Sequence, residues 1–331
     1  MTTTALSPSV LDMDCAAAVT EIETSLRNHT RALHRRGLVL GVSGGIDSSV
    51  CAGLAAKAVG PDRVLAILMP ERDSSPESSK KGRIVCETFK IPYVVEDIAA
   101  PLEALGCYRR RDEAITRLIP EYRPGNRFKI VVASDLLNSD RMNYFSLIVE
   151  LAGGTQTRRL PLDDYLQIVA ATNFKQRVRK MIEYYHAERL NHAVLGTPNR
   201  LEYDQGFFVR GGDGLADIKP IAHLYKTQVF ALARHLGLPR EICEQTPSTD
   251  TYSLPQTQEE FYFALPYKQM DLLLHAYING LAPAVSAEGL HLTAEQVERV
   301  YRDIEAKRKV AKQLHQPAAL VREYHWGPAQ R

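Results

Sequence analysis

Apolar residues along the first part of the chain alternate between short continuous runs and stretches with helical spacing. Three short runs, Leu38–Val42, Arg63–Pro70 and Tyr93–Ile98, are typical of buried strands. Between the first two runs, the segment from Ser48 to Ala58 is apolar over a length that suits a helix. This alternation of strand and helix predicts an α/β fold with a doubly wound parallel sheet and flanking helices.

The same pattern continues on both sides of this region. Residues 11–36 predict an amphipathic helix, because Val19, Ile22, Leu26 and Leu33 recur at helical spacing. Further along, we expect helices at Lys175–Leu190 and Tyr225–Gly237, and a fourth strand at His192–Thr197. The whole chain, residues 1–331, is therefore expected to form a single α/β domain.

One region breaks this rhythm, and we predict a small antiparallel β insertion at residues 124–165. Its β-rich runs are separated by turn residues such as Asn138-Ser139-Asp140 and Gly153-Gly154. The runs lie at 127–133, 144–151 and 156–162. The alternative is that this stretch holds the usual helix of the repeat in an unusual sequence. At the other end, residues 306–331 form a basic, polar tail, which predicts a solvated helix end that a partner subunit could order.

Composition and charge exclude several classes of protein. Hydrophobic residues make up 45% of the 331 positions and charged residues 24%, and the net charge is +2, so nothing favours a nucleic-acid partner. No apolar run approaches the roughly 20 residues that span a bilayer, and the N-terminus lacks the pattern of a secretory signal. Five scattered cysteines without a C-x-x-C pair fit a reducing compartment. We therefore expect a cytoplasmic enzyme without a membrane partner.

Candidate chemistry starts at the stretch "GLVLGVSGGIDSSVCAGLA", residues 37–55. Its glycines join a strand to a helix, where they let a ligand approach the backbone and where free N–H groups favour anions. The alternative is a turn that needs glycine only for its geometry. The stretch has no P-loop lysine, and it carries Asp47 instead. A carboxylate repels phosphate unless a cation lies between them, so Asp47 predicts Mg²⁺ bound to a polyphosphate.

The sequence S-G-G-x-D-S in this stretch resembles the signature of the PP-loop ATP pyrophosphatase family. The resemblance implies that the loop binds the pyrophosphate end of ATP. It also implies that AMP is transferred to an oxygen and then displaced by a nucleophile. The implied ATP contacts are Gly41, Ser43, Gly44, Gly45, Asp47 and Ser48.

Three further stretches narrow the resemblance to the NAD synthetase family. Val194–Pro239 resembles that family along its length, including G-T-x-x-x-x-E, G-F-F and G-D-G segments. Asn173–Ala187 resembles its N-x-x-x-R-x-R helix, and Pro247–Glu260 resembles its mobile loop. The resemblance implies an ATP- and Mg²⁺-dependent ligase that adenylates the carboxylate of deamido-NAD and displaces AMP with ammonia to give NAD.

The resemblance also implies roles for individual residues. Asp47 and Glu202 match the two carboxylates that bind Mg²⁺, while Thr197 and Ser248 match ATP contacts. The implied substrate contacts are Asn173, Arg177, Arg210 and Asp217, and the implied catalytic residues are Asp47, Asp213 and Asp217. Without the family, Asp213 and Asp217 could be turn or cap residues, and Glu202 could be a solvated charge on a helix.

The sequence departs from the family on the acceptor side. Val169 stands where the family commonly has an aromatic residue of the nicotinate pocket, and Arg210 stands where it usually has lysine. After Glu259-Glu260, "FYFALPY" replaces a stretch that usually carries an acidic residue and a glycine. These departures leave a second interpretation open, an amide ligase that adenylates another carboxylate, such as a sugar acid or a specialised metabolite. A nucleotide-binding regulatory or tRNA-modifying protein is disfavoured, since reactive cysteine pairs and a basic RNA-binding domain are missing.

The nitrogen source and the oligomeric state follow from length and from the resemblance. A glutaminase module would need about 200 further residues, so we expect free ammonia or ammonia from a separate partner protein as the nucleophile. In NAD synthetases the substrate pocket is shared across a two-fold interface, to which the N-x-x-x-R helix contributes. The resemblance therefore implies a homodimer.

Overall fold

The computed structural model describes residues 6–133, 136–137, 144–247 and 251–322. Its strands are β1 (Leu38–Gly41), β2 (Val64–Leu68), β3 (Tyr93–Val95), β4 (Phe128–Ala133), β5 (Tyr144–Leu151), β6 (Gly154–Arg159) and β7 (Ala193–Val194). Its helices are α1 (Cys15–Ala32), α2 (Ile46–Val59), α3 (Pro76–Phe89), α4 (Ala99–Ala104), α5 (Cys107–Leu118), α6 (Leu162–Leu190), α7 (Arg200–Gln205), α8 (Lys226–His235), α9 (Arg240–Cys243), α10 (Tyr267–Ile278), α11 (Pro283–Leu290) and α12 (Ala294–Leu314).

Four parallel strands form the main sheet, in the order β3-β2-β1-β7. The chain moves outward from β1 through β2 to β3 and later returns to place β7 on the other side of β1. The predicted doubly wound parallel sheet is thus confirmed. The order reverses beside β1, and ligands of such sheets bind at the carboxyl ends of the strands at this point.

Helix α2 is buried on nearly all sides, which explains its lack of a polar face. It packs against β1 and β2 and also contacts α1, α3 and α8. Small residues allow this close packing: a Cβ on Gly53 would lie 2.6 Å from the ring of Phe89. A helix that is apolar all round belongs in a core, and here it fixes the loop that precedes it.

The predicted antiparallel insertion is confirmed as a three-stranded sheet, in the order β4-β5-β6. The predicted runs at 127–133 and 144–151 match β4 and β5 closely, while the third ends earlier than expected. Pro161 precedes the first residue of α6, so the helix begins at Leu162 and includes the last part of the predicted 124–165 segment. Of the predicted turns, Gly153 joins β5 to β6, and residues 138–140 lie outside the described residues.

The ends of the chain differ in detail from the predicted helices. The helix expected at 11–36 is a short 3₁₀ turn, Pro8–Leu11, followed by α1. The carboxylate of Asp14 caps α1 by accepting hydrogen bonds from Ala16 N and Ala17 N, at 2.9 and 3.0 Å. At the other end, residue 306 lies inside α12, which packs along α7, so this part of the predicted tail belongs to the folded body. In the described part of the chain, no helix is both long and apolar enough to cross a membrane.

Candidate active site

The loop from Gly41 to Ser48 leaves the carboxyl end of β1 and enters α2. Gly44 has a φ of +79°, and a Cβ there would lie 2.6 Å from Cβ of Lys81 on α3. Glycine at this position is therefore required by backbone geometry and packing. Gly45, in contrast, lines a cavity of about 240 Å³ together with Gly41, Ser43 and Ser48. The two glycines thus serve different needs of the same turn.

The first turn of α2 presents polar groups to this cavity. The hydroxyl of Ser48 donates to Gly45 O at 3.0 Å, and the hydroxyl of Ser43 accepts from Gly45 N at 3.3 Å. The two hydroxyl oxygens lie 3.2 Å apart. Thr197, beyond the end of β7, lines the same cavity. Hydroxyl groups and a helix N-terminus facing one cavity can bind a phosphate chain.

Asp47, in the first turn of α2, is bound by the side chains of two residues from later in the chain. The buried ammonium of Lys226, the first residue of α8, forms an ion pair with it. The amide of Asn199 donates to Asp47 Oδ1 at 3.0 Å. The loop itself has no lysine, but α8 supplies one from a distant part of the sequence. Lys226 lies inside the predicted helix Tyr225–Gly237, but its position on a helix does not by itself show that it is buried or that it contacts Asp47.

Glu202 completes this group and is buried rather than solvated. Asn199 and Glu202 form a capping box at the start of α7, where Glu202 Oε2 accepts from Asn199 N at 3.1 Å. Glu202 Oε1 accepts from the amide of Gln258 at 2.9 Å. Burial, followed by the charge of Asp47, raises the pKa of Glu202 to about 7. A nearby cation favours the charged form of such a carboxylate.

This pair of carboxylates suits Mg²⁺ bound together with substrate phosphates. Mg²⁺ is commonly held by one or two carboxylates, with phosphate oxygens and water as the other ligands. The described residues contain no cluster of three or more His, Cys, Asp or Glu side chains that could form an all-protein metal cage. Asp47 lines the first cavity and Glu202 lies near it, so the two carboxylates fit a metal bound together with a phosphate chain.

A second cavity, of about 350 Å³, adjoins the first and shares Asp47, Ser48 and Thr197 with it. Its remote part is aromatic: Phe145 of β5 and Tyr165 of α6 stack with ring centroids 4.1 Å apart. Val169 also lines this cavity, so the aromatic surface comes from other positions. These rings could not be predicted from the family resemblance, because Phe145 lies in the inserted segment. Asn173 lines the same cavity, as do Tyr252 and Phe261.

Asp213 lines both cavities, close to a buried ion pair that was not predicted from the sequence. Its carboxylate accepts from Val209 N at 2.7 Å, and burial raises its pKa. Lys180 Nζ and Glu183 Oε2, on one turn of α6, lie 2.6 Å apart. Lys180 and Glu183 also line the first cavity. Asp213 is thus both a turn residue and a cavity residue, so the two interpretations are compatible.

Three other candidate residues lie outside these two cavities. Arg177 and Arg210 are exposed, and Arg177 Nε donates to Arg210 O at 3.2 Å. The carboxylate of Asp217 accepts from Val194 N at 2.8 Å and from the hydroxyl of Tyr184 at 3.2 Å, which fits a structural role at the end of β7. Ser248 lies outside the described residues.

Comparisons with known proteins agree on one family. The sequence profile of NAD synthase matches residues 18–144 and 142–312 of this chain. The NH(3)-dependent NAD(+) synthetase of Rhizobium meliloti is 57% identical over 316 residues, which cover 95% of this chain and 94% of the relative. That of Thermotoga maritima is 35% identical and covers 72% of this chain and 79% of the relative.

Solved structures show the same fold at lower identity. The NMN synthetase of Francisella tularensis matches with a TM-score of 0.62 at 24% identity, covering 95% of this chain and all of that one. The NH3-dependent NAD synthetase of Campylobacter jejuni also gives a TM-score of 0.62, at 18% identity, covering 94% of this chain and all of that one.

Proposed function

Because the chain belongs to the NAD synthase family, we propose that it is an ammonia-dependent NAD synthetase that uses ATP and Mg²⁺. The observation that carries the proposal is the pair of adjoining cavities that share Asp47, Ser48 and Thr197. The first has the lining of a phosphate site, and the second has the lining of a site for an aromatic acceptor. Their junction is where a nucleotide and a carboxylate would react.

In the first step, a carboxylate oxygen of deamido-NAD attacks the α-phosphorus of ATP, and the bond to the bridging oxygen of pyrophosphate breaks. The turn containing Ser43, Gly45 and Ser48 would bind the leaving pyrophosphate through N–H and hydroxyl donors. Gly41 and Thr197 would line the nucleotide site, and Lys226 would neutralise charge beside Asp47. We keep Gly44 and Ser248 as proposed ATP contacts on the family resemblance alone.

In the second step, ammonia attacks the acyl carbon of the adenylate, the bond to AMP breaks, and one proton leaves the new nitrogen. Asp213 is the proposed catalytic carboxylate near this junction, because it lines both cavities. Asp217 is better suited to positioning, since its two oxygens already accept from Val194 N and Tyr184. Free ammonia, or ammonia from a partner protein, remains the proposed nucleophile.

Asp47 and Glu202 are the proposed Mg²⁺ ligands. When bound, the metal would neutralise the polyphosphate and help pyrophosphate to leave. The chain's own contribution is to bury Glu202 near Asp47, so that burial and then the charge of Asp47 raise the pKa of Glu202. Asn199 and Gln258 orient them through hydrogen bonds of 3.0 and 2.9 Å.

We further propose that two copies of the chain share the acceptor site across α6. Arg177, Met181 and Tyr185 follow one another at four-residue spacing and are exposed, Met181 by 63% and Tyr185 by 61%. An apolar strip of this kind suits a homodimer interface. In such a dimer, Arg177 and the neighbouring Arg210 would contact a substrate bound to the partner subunit. A cytoplasmic location is part of the proposal, supported by five free cysteines.

The acceptor is tested by offering the purified protein ATP, Mg²⁺ and ammonia with different carboxylates. We expect acceptor-dependent pyrophosphate release to be fastest with deamido-NAD, compared with nicotinate mononucleotide, nicotinate and a sugar acid. Faster release with any of the others would move the proposal to an amide ligase for that acid. Phe145→Ala should then raise the KM of the preferred acceptor if it carries an aromatic ring, because the stacking surface is removed.

A further inference from the structure

The inserted sheet has one edge that its own strands leave open. Among the strands that the structure describes, β4 pairs only with β5, and Glu150 N donates to Arg127 O across that pair. In an antiparallel ladder the pairing alternates, so Phe128 and Ile130 direct their backbone groups away from β5. An edge of this kind presents free N–H and C=O groups that need other partners.

The segment 251–258 occupies this edge. Phe128 N donates to the hydroxyl of Ser253 at 2.9 Å, and Leu254 N donates to Phe128 O at 3.0 Å. The amide of Gln256 donates to Ile130 O. Lys129, between the two outward-facing residues, donates to Pro255 O at 3.3 Å. The segment thus provides hydrogen-bond partners for Phe128 N, Phe128 O and Ile130 O, three outward-facing backbone groups of β4.

The same segment carries residues of both cavities. Tyr252 is 5% exposed and lies against Phe128, with ring centroids 5.4 Å apart. The centroid of its ring also lies 5.6 Å from that of Phe261, and both rings line the second cavity, the proposed acceptor site. Six residues after Tyr252, the amide of Gln258 contacts Glu202 at 2.9 Å. A shift of this segment along β4 would therefore move the aromatic wall and the partner of Glu202 together.

We propose that β4 of the inserted sheet is the docking strand for the 251–258 segment, and that Ser253 and Gln256 are positioning residues for the acceptor site. Their side chains fix the register of the segment on β4, and the register sets where Tyr252, Gln258 and Phe261 lie. Lys175 supports the near end of the segment from α6, where its buried ammonium donates to Thr251 O at 2.9 Å. The docking part of this inference is independent of the reaction, and the positioning part rests on the proposed function.

Docking is measured by hydrogen exchange on the full-length protein without substrates, followed in a peptide that spans 251–258. Ser253→Ala removes the acceptor of Phe128 N, and Gln256→Met removes the donor to Ile130 O at nearly constant volume. Each should raise the exchange rate of the peptide by roughly tenfold, the effect of about one hydrogen bond. Ser253→Thr retains the hydroxyl and should restore protection. Thr155→Ala, on the exposed strand β6 of the same sheet, is the matched control and should change nothing.

Positioning is measured on the same four variants by steady-state kinetics. Ser253→Ala and Gln256→Met should lower kcat/KM for the acceptor about tenfold, while the KM of ATP stays within about twofold. Ser253→Thr and Thr155→Ala should match the unsubstituted chain. A melting temperature within about 2 °C of the unsubstituted chain separates this effect from a general loss of stability.

Two results would overturn the inference. Unchanged exchange in Ser253→Ala and Gln256→Met would show that the inserted sheet does not hold the segment. Faster exchange with unchanged kcat/KM for the acceptor would show that docking does not position the site. If the unsubstituted chain makes no NAD, the proposed function fails. The exchange measurement still decides whether β4 holds the 251–258 segment.

Discussion

Lys226 and Asp47, which are 179 positions apart in the sequence, form an ion pair in which the lysine is buried and the aspartate, which lines both cavities, is partly buried. Lys226 is only 1% exposed, and the charges of Asp47 and Glu202 both raise its pKa against the opposing effect of burial. The ammonium of Lys226 is therefore the countercharge of both carboxylates. This arrangement keeps the acidic pair together before a metal and a nucleotide bind.

Removal of this cation should destabilise the fold. Lys226→Met leaves Asp47 and Glu202 without their shared countercharge, and breaking a buried pair in this way costs about 3 kcal/mol of unfolding free energy. The measurement is urea denaturation without Mg²⁺. Lys309→Met, whose side chain is 75% exposed, is the matched control and should change stability by less than about 0.5 kcal/mol. Equal stability of the two variants would contradict the account.

The raised pKa of Glu202 predicts a pH dependence of the metal-free protein. Its pKa of about 7 lies above the ordinary value of 4.5, so the folded state binds a proton that the unfolded state has already lost. The stability contributed by Glu202 is therefore greatest below about pH 4.5 and decreases as pH rises to about 7. Glu202→Gln removes this titration. The loss of unfolding free energy on going from pH 5 to pH 8 should therefore be smaller in this variant by roughly 1–3 kcal/mol. An unchanged slope would show that Glu202 is ionised throughout.

The metal assignment is tested by the release of AMP. Asp47→Asn and Glu202→Gln retain size but lose charge, so each should reduce AMP release at least about a hundredfold at saturating Mg²⁺. Circular dichroism checks that both variants remain folded. Asp62→Asn, an exposed carboxylate beyond the other end of α2, is the control and should retain full activity. Full turnover in either site variant would show that its carboxylate does not bind the metal.

The proposed dimer interface is tested on the exposed face of α6. Met181→Asp introduces a charge into the apolar strip, so we expect sedimentation at micromolar concentration to change from dimer to monomer. Val310→Asp on α12, which is 54% exposed, controls for an added surface charge and should remain dimeric. A monomeric, active unsubstituted chain would rule out the shared site.

Much of the fold could be predicted from the sequence because its signals are local. The runs at Leu38 and Val64 are apolar over the length of a strand, and the glycine turn between β1 and α2 has a distinct composition. The start of α6 at Leu162 was missed although Pro161, directly before it, is a helix-start signal, because the third β-rich run was extended through the proline to residue 162.

The candidate site was only partly predictable because its partners come from distant segments. Asp47 and Glu202 could be identified by motif, whereas the ion pair of Asp47 with Lys226 depends on how α8 packs against α2. Phe145 and Tyr165 meet only after the inserted sheet folds onto α6. The exposure of Arg177 likewise follows from which face of α6 turns inward.

The most direct test of the central claim uses isotopically labelled ammonium. The purified protein is incubated with deamido-NAD, ATP, Mg²⁺ and the labelled ammonium, and the products are measured by mass spectrometry and by pyrophosphate and AMP assays. The account predicts NAD that carries the label in its amide, with one AMP and one pyrophosphate formed for each NAD. Absence of labelled NAD, together with no release of pyrophosphate that depends on deamido-NAD, would contradict it.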